Sequence, residues 1–179
     1  MPDHAKKEDI KKNINKIESM TSTLLETVKQ SQTENVNLQK GDLSLFVKKW
    51  LDSSGFSKEK VQFKERPETL LIYDSGKMDI ILKNIVENAV KYSQGNVFIY
   101  FESENCLCVK DQGIGISQED LNKIFEPFYR VDMSRTRQTG GYGLGLTLTK
   151  RLVEAQGATI KIESQINSFC DVNIDSNSQ

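Results

Sequence analysis

Asn84-Ile85-Val86-Glu87-Asn88-Ala89-Val90-Lys91-Tyr92-Ser93 closes a helix that the spacing predicts from about Gly76 to Tyr92. Met78, Ile81, Leu82, Ile85 and Ala89 form one apolar stripe, and Asn84, Asn88 and Lys91, at i, i+4 and i+7, form a polar stripe opposite it. Asparagine is a poor residue for a helix interior, because its side chain competes for backbone hydrogen bonds. Two asparagines one turn apart, followed by lysine, suggest an amide-lined face that handles a cation and an anion together. A solvated helix face is the other reading of this stretch taken by itself.

Downstream, Val97–Phe101 and Cys106–Lys110 are apolar runs around Glu102-Ser103-Glu104-Asn105 and read as a hairpin. Asp111-Gln112-Gly113-Ile114-Gly115-Ile116 follows directly. Its alternate glycines permit unusual backbone angles or close approach to a flat ligand, and an aspartate at a strand end is acceptor-only, suited to an exocyclic amine. A plain turn accounts for this hexapeptide as well. Further on, Gly140-Gly141-Tyr142-Gly143-Leu144-Gly145-Leu146 opens a helix expected over Leu144–Ala155. Free N–H groups at a helix start bind phosphate, and glycine lets the phosphate come close. It is not a Walker A loop, which needs Gly-Lys-Ser/Thr where Gly145 precedes Leu146. A dinucleotide fingerprint from Gly141 would need glycine where Leu146 stands, and this loop does not follow a strand. The HRD and DFG segments of protein kinases are absent.

Upstream, residues 5–31 read as one charged helix in which Ile10, Ile14, Ile17, Thr21, Leu24 and Val28 recur at spacings of 4, 3, 4, 3 and 4. That narrow seam cannot bury itself and calls for a coiled-coil or bundle partner, the other reading being a helix packed on its own domain. Between the seam and the Asn84 helix, Val36–Gln39 is strand-like and Asp42 can cap a helix through Leu51. Val61–Arg66 and Leu70–Tyr73 read as a pair of strands around Pro67-Glu68. Beyond the hairpin come a short helix (Gln118–Ile124), an aperiodic stretch (Glu126–Tyr142), and closing strands at Ala158–Glu163 and Phe169–Ile174. The fold class is therefore α+β: an α/β sandwich with a mixed, mostly antiparallel sheet, helices on one face, and one long N-terminal helix.

Composition narrows the function classes. With 179 residues, 24 Lys+Arg against 25 Asp+Glu and a formal net charge of -1, nothing argues for nucleic acid or an anionic membrane as partner. No apolar run is long enough to span a bilayer, so any membrane anchor is expected in sequence outside these residues. His4, the single histidine, falls in no catalytic-triad setting. Cys106, Cys108 and Cys170 have no CxxC spacing, which argues against a Cys/His zinc site. Cys106 and Cys108 should share one strand face as small buried hydrophobes.

Together, in this order, these stretches resemble the ATP-binding domain of two-component sensor histidine kinases, of the Bergerat (GHKL) fold. The N box resembles Asn84–Ser93, the G1 box Asp111–Gly115, the F box Phe125-Glu126-Pro127-Phe128-Tyr129-Arg130, and the G2 box Gly141–Leu146. The resemblance covers roughly residues 36–175. It implies that ATP and Mg²⁺ are bound, with Asn88 holding Mg²⁺ through its amide oxygen and Asn84 one turn away on the same face. Lys91 would contact phosphate, and Tyr92 would pack near adenine or ribose. Asp111 would accept from adenine N6, with Gly113, Gly115 and Ile116 shaping the purine floor. Residues 126–140 would form the lid, where Arg130, Arg135 or Arg137 could reach the γ-phosphate, with Phe125 and Phe128 packing its base. Gly141, Gly143, Leu144, Gly145 and Leu146 would line the phosphates.

The resemblance also implies an organisation: 1–31 as the second helix of a dimerisation hairpin, and 32–179 as the catalytic domain. The phosphoacceptor histidine lies on the first hairpin helix in this family, in a motif like H-E-L-R-T-P. His4-Ala5-Lys6-Lys7 does not match it, so that helix is expected outside this sequence. Implied partners are the protein's own hairpin, a second copy, and a cognate response regulator, in the cytoplasmic part of a membrane-anchored bacterial sensor. Gyrase- and Hsp90-type ATPases place a glutamate base one turn before the metal asparagine. That position is Asn84, whose amide cannot take a proton from water, and Glu87 points about 100° away. A nucleotide-binding regulatory module and an anti-sigma-type serine kinase are further alternatives, the latter normally lacking the hairpin. At the C-terminus, Ser164-Gln165-Ile166-Asn167-Ser168 joins the last strands without the glycine usual in this family.

Overall fold

The computed structural model describes Ile10, Ile14, Thr21 and residues 35–131, 142–166 and 169–176. Contacts divide the chain into two compact units, Met1–Gln32 and Thr33–Gln179. In the first, Ile10, Ile14 and Thr21 are helical and exposed. The remaining seam residues Ile17, Leu24 and Val28 lie outside the described residues.

The second unit runs β1 (Gln39–Asp42), α1 (Leu43–Ser54), β2 (Val61–Phe63), β3 (Leu70–Tyr73), α2 (Ser75–Tyr92), β4 (Ser93–Phe101), β5 (Cys106–Gly113), α3 (Gln118–Leu121), α4 (Gly145–Ala155), β6 (Ala158–Gln165) and β7 (Phe169–Ser176). Five strands form one sheet in the order β2-β4-β5-β7-β6, parallel between β2 and β4 and antiparallel elsewhere. The hairpin expected around residues 102–105 is present, with Phe101 opposite Leu107. β1 and β3 pair antiparallel in a separate two-stranded sheet.

Here the sequence expectation needs correcting, because β2 and β3 do not pair with each other. The connection is spent on α1 instead: Leu43 N donates to Thr69 O at 2.9 Å and Arg66 N to Ser44 Oγ at 3.1 Å. Pro67 lacks an amide proton for a ladder, and Glu68 adopts φ 60. The strand expected at Val36–Gln39 begins only at Gln39, since Asn37 N is taken by the Asp74 carboxylate at 2.9 Å.

Two aspartates start the long helices. Asp42 accepts from Leu45 N at 3.1 Å and caps α1, as its position in the sequence suggests. Asp74 accepts from Lys77 N at 3.0 Å and caps α2, while its own N–H donates to Gln156 Oε1 at 2.8 Å beyond the end of α4. One residue thus fixes the N-terminus of the asparagine helix against the glycine-loop helix. Asp74→Ala should lower stability by about 1–2 kcal/mol, read as a shifted denaturation midpoint at unchanged slope.

Helices α2 and α4 lie on the same sheet face. Ile81, Leu82, Ile85, Val86, Leu152 and Val153 are buried against Val97, Ile99, Leu107 and Val109. Strand alternation sends Tyr100, Cys106, Cys108 and Lys110 to the other face. No helix among the described residues is long and apolar enough to cross a membrane.

Candidate functional site

Asn84, Asn88 and Lys91 occupy one half-buried stripe of α2, and the opposing stripe is in the core. The side-chain nitrogen Nδ2 of Asn84 is buried without a hydrogen-bond partner. Desolvating an amide N–H without a partner is costly, so this atom fits a ligand acceptor. Across from it begins α4. Its N-cap is Leu144, which provides no side-chain cap, and its first internal bond runs from Leu148 N to Leu144 O at 2.9 Å. The amides of the first turn therefore have no intrahelical acceptor and add a positive dipole end. A Cβ placed on Gly145 would stand 3.6 Å from Asn84 Oδ1. The amide stripe and the helix start thus lie against each other, and unpaired amides at a helix start suit phosphate.

Asp111 closes one end of this region from the tip of β5. It is 6% exposed, and burial pushes its carboxyl up to about 6. Asp171 adds to that rise, while the Gly113 amide and the Lys60 ammonium oppose it. A Cβ on Gly113 would lie 2.5 Å from both Asp111 Oδ1 and Tyr92 O, so only glycine lets β5 pass the end of α2. Tyr92 is 41% exposed there, with Lys91 Nζ 5.0 Å from its ring centroid. Lys60 Nζ also donates to Gly95 O.

Past the strand, Gly115 adopts φ 66, and a Cβ on it would collide with Gln165 O at the end of β6. Ile116 N donates to Ser164 Oγ at 2.8 Å, and that hydroxyl donates to Phe169 O at 2.7 Å. Ser164 therefore anchors the last connection, which has no glycine, to the loop that follows Asp111.

At the base of the expected lid, Tyr129 Oη donates to Asp120 Oδ1 at 2.5 Å, and Ser117 Oγ donates to Asp120 Oδ2 at 2.6 Å. The bond to Asp120 raises the Tyr129 hydroxyl to about 12. Phe128 has φ 66 and donates its N–H to Gly143 O at 3.0 Å. Its ring is 52% exposed, and the lid residues 132–141 it was expected to pack under lie outside the described residues. Phe125 is half-buried with Lys150 Nζ 5.3 Å from its ring, and its carbonyl accepts from Thr147 Oγ1 at 2.9 Å. Gly143 has φ 73, and a Cβ there would come 2.6 Å from Tyr129 O. Arg130 is half-buried where the lid stretch starts, and Leu146 is half-buried in the first turn of α4. Gly141, Arg135 and Arg137, with the rest of 132–141, lie outside the described residues.

The four stretches separated in sequence thus meet through glycine. Gly113 touches the end of the asparagine helix, Gly143 touches the Phe128–Tyr129 segment, and Gly145 faces Asn84. The sequence reading missed the Tyr129–Asp120–Ser117 latch and the Lys60 contact. Ser117-x-x-Asp120 was a capping pattern open to recognition, but nothing local marks Tyr129 or Lys60.

A family model described as histidine kinase-, DNA gyrase B-, and HSP90-like ATPase matches residues 73–176, which contain all four stretches. The chain belongs to that family. It carries an ATP-binding domain of the sensor-histidine-kinase type. Among relatives, the sensor protein kinase WalK of Staphylococcus saprophyticus is 36% identical over 140 residues, covering 73% of this chain and 23% of the relative. WalK of Staphylococcus aureus is 33% identical over 140 residues, covering 73% of this chain and 34% of the relative. The chain thus spans about a quarter to a third of the length of these curated relatives. Of solved structures, the Acinetobacter baumannii histidine kinase AdeS matches with TM-score 0.64 at 24% identity, covering 92% of this chain and 82% of that one. Full-length ShkA in complex with AMPPNP matches with TM-score 0.68 at 20% identity, covering 93% and 38%. Both structures show the same fold.

Proposed function

We propose that this chain is the catalytic part of a sensor histidine kinase: it binds Mg·ATP and passes the γ-phosphate to a histidine on a dimerisation hairpin, for relay to a response regulator. One observation carries this reading. Asn84, with its buried unpartnered amide, stands opposite the uncapped start of α4, where a hydrolytic relative would need a carboxylate. The family description spans kinases and clamp ATPases alike, so this residue is what separates them. Glu87, one residue before Asn88, is exposed and about 100° around the helix from it, a poor position for a base. The relatives named sensor protein kinases and the AMPPNP complex of ShkA support the same reading.

In this assignment Asn88 would hold Mg²⁺ through its amide oxygen, a hard donor for a hard ion, and the ion would offset the charge of the phosphates. Asn84 Nδ2 and the amides of Gly143, Leu144 and Gly145 hold phosphate oxygens, Gly141 and Leu146 complete that wall, and Lys91 adds a point charge. Asp111 accepts from the adenine amine over a floor of Gly113, Gly115 and Ile116, with Tyr92 at its edge. Arg130 serves at the lid. Residues 1–31 act as the second hairpin helix and 32–179 as the catalytic domain. The whole protein works as a homodimer on the cytoplasmic side of a membrane-anchored bacterial sensor, with no nucleic-acid partner.

Calorimetry tests the metal assignment. Mg²⁺ should strengthen ATP binding to the wild-type domain by roughly tenfold, about 1.4 kcal/mol, and should do nothing for Asn88→Ala. A variant that keeps the full Mg²⁺ effect would move the metal to another residue.

A further inference from the structure

We propose that the sheet face turned away from α2 and α4 carries a binding site for Zn²⁺ or a cation of the same thiophilic class, held by Cys106, Cys108 and Glu102. The two cysteines follow i, i+2 along β5, so their thiols leave the same face. Cys106 is 8% exposed and Cys108 fully buried. The sulfurs are 3.8 Å apart. Two thiolates about 2.3 Å from one tetrahedral Zn²⁺ stand about 3.8 Å from each other, so the pair is already spaced as one edge of such a site. Glu102 is exposed at the start of the hairpin turn, and a carboxylate oxygen of it lies within 4.8 Å of both sulfurs. Its N–H donates to Cys106 O at 3.0 Å, which ties the start of the turn to the first cysteine. The third donor is thus a carboxylate, which a search for Cys/His spacing passes over, and water completes the four positions.

A disulfide is the competing fate of two near thiols, but the strand opposes it. Residues i and i+2 of an extended strand place their Cα atoms about 6.6–6.8 Å apart, at the far limit for a disulfide. Both cysteines are also locked in ladders, Cys106 opposite Asp175, and Cys108 between Tyr100 and Asn173. The surroundings favour a cation. Asp175 and Asp171 share this face by register, and Asp171 keeps Oδ1 buried without a partner, its Oδ2 accepting from Tyr100 and pairing with Lys110 at 3.3 Å. Lys110 is committed to Asp171 and to the Phe169 ring, 4.5 Å away. Binding replaces two S–H protons with the metal and releases them to solvent, with no change of oxidation state.

The test is titration of the reduced chain with Co²⁺, followed by displacement with Zn²⁺. One equivalent of Co²⁺ should produce the thiolate charge-transfer absorption and the visible bands of a tetrahedral site, and Zn²⁺ should abolish them with two protons released per ion bound. Cys106→Ser/Cys108→Ser should lose the signal, with ATP binding as the check on its folding, and Cys170→Ser should keep it. Glu102→Gln, on an exposed turn, should weaken Co²⁺ at least about tenfold, the cost of losing even an outer-shell partner. Absence of the bands in the wild-type chain, their survival in the double serine variant, or a Cys106–Cys108 disulfide forming in place of metal uptake would overturn the proposal. Unchanged affinity in Glu102→Gln would remove the carboxylate from it.

Discussion

Replacing Asp111 by asparagine should weaken ATP binding by roughly 10- to 100-fold, the 1–3 kcal/mol that an unpaired buried polar group costs. The carboxylate presents only acceptors, one oxygen facing the Gly113 amide and the other left for the adenine amine. Asparagine keeps the shape but sets a donor where one acceptor stood, so either Gly113 or the purine loses its partner. The pH profile distinguishes this from a general loss of structure. In the wild-type domain affinity should fall as pH drops through about 6, where burial holds the Asp111 titration, and in Asp111→Asn it should be flat there. Stability of the nucleotide-free domain should move the opposite way. The folded pKa of about 6 exceeds the ordinary carboxylate value, so between the two the folded state binds more protons. Stability is then lost as pH rises through that window. Asp111→Asn removes that slope. Calorimetry that gives unchanged ATP affinity in Asp111→Asn would reject the adenine assignment.

The asparagine helix was legible because its two stripes follow a 3.6-residue period over many turns, and periodicity of that length overrides local ambiguity. The β4–β5 hairpin was legible as two apolar runs around a polar turn, and the cap at Asp42 from residue type and position, whereas the cap at Asp74 emerged only from the structure. What failed was pairing. Val61–Phe63 and Leu70–Tyr73 both look like strands, but β2 joins β4 and β3 joins β1, while Ser44 and Leu43 take the backbone groups of the connection. No local signal encodes that. The left-handed backbone of Phe128 was equally hidden, since the bond its N–H makes is to Gly143 O, fifteen residues on. In the candidate site, residue types were readable and mutual distances were not. The approach of Gly145 to Asn84 and of Gly113 to Tyr92 exists only once α2, β5 and α4 share one sheet face.

Radiolabel from γ-labelled ATP should not appear on this chain alone, and should appear on a hairpin bearing the phosphoacceptor histidine once that hairpin is added. The chemistry follows from Asn84. A neutral amide can orient Mg·ATP but cannot deprotonate water, so the bound nucleotide should persist with little hydrolysis until an unprotonated imidazole nitrogen reaches the γ-phosphate in line. His4 is the single histidine of the sequence and sits in no acceptor motif. With the acceptor supplied separately, transfer is second order and limited by docking. A short tether gives a millimolar effective concentration, so micromolar hairpin should be labelled roughly 100–1,000-fold more slowly than a tethered one, and linearly in hairpin concentration. Asn84→Glu extends the argument: a carboxylate one turn before Asn88 provides the missing base, so ATP hydrolysis should rise while label transfer falls. Acid-stable label on this chain alone, surviving His4→Ala, would mean a hydroxyl acceptor and a serine-type kinase.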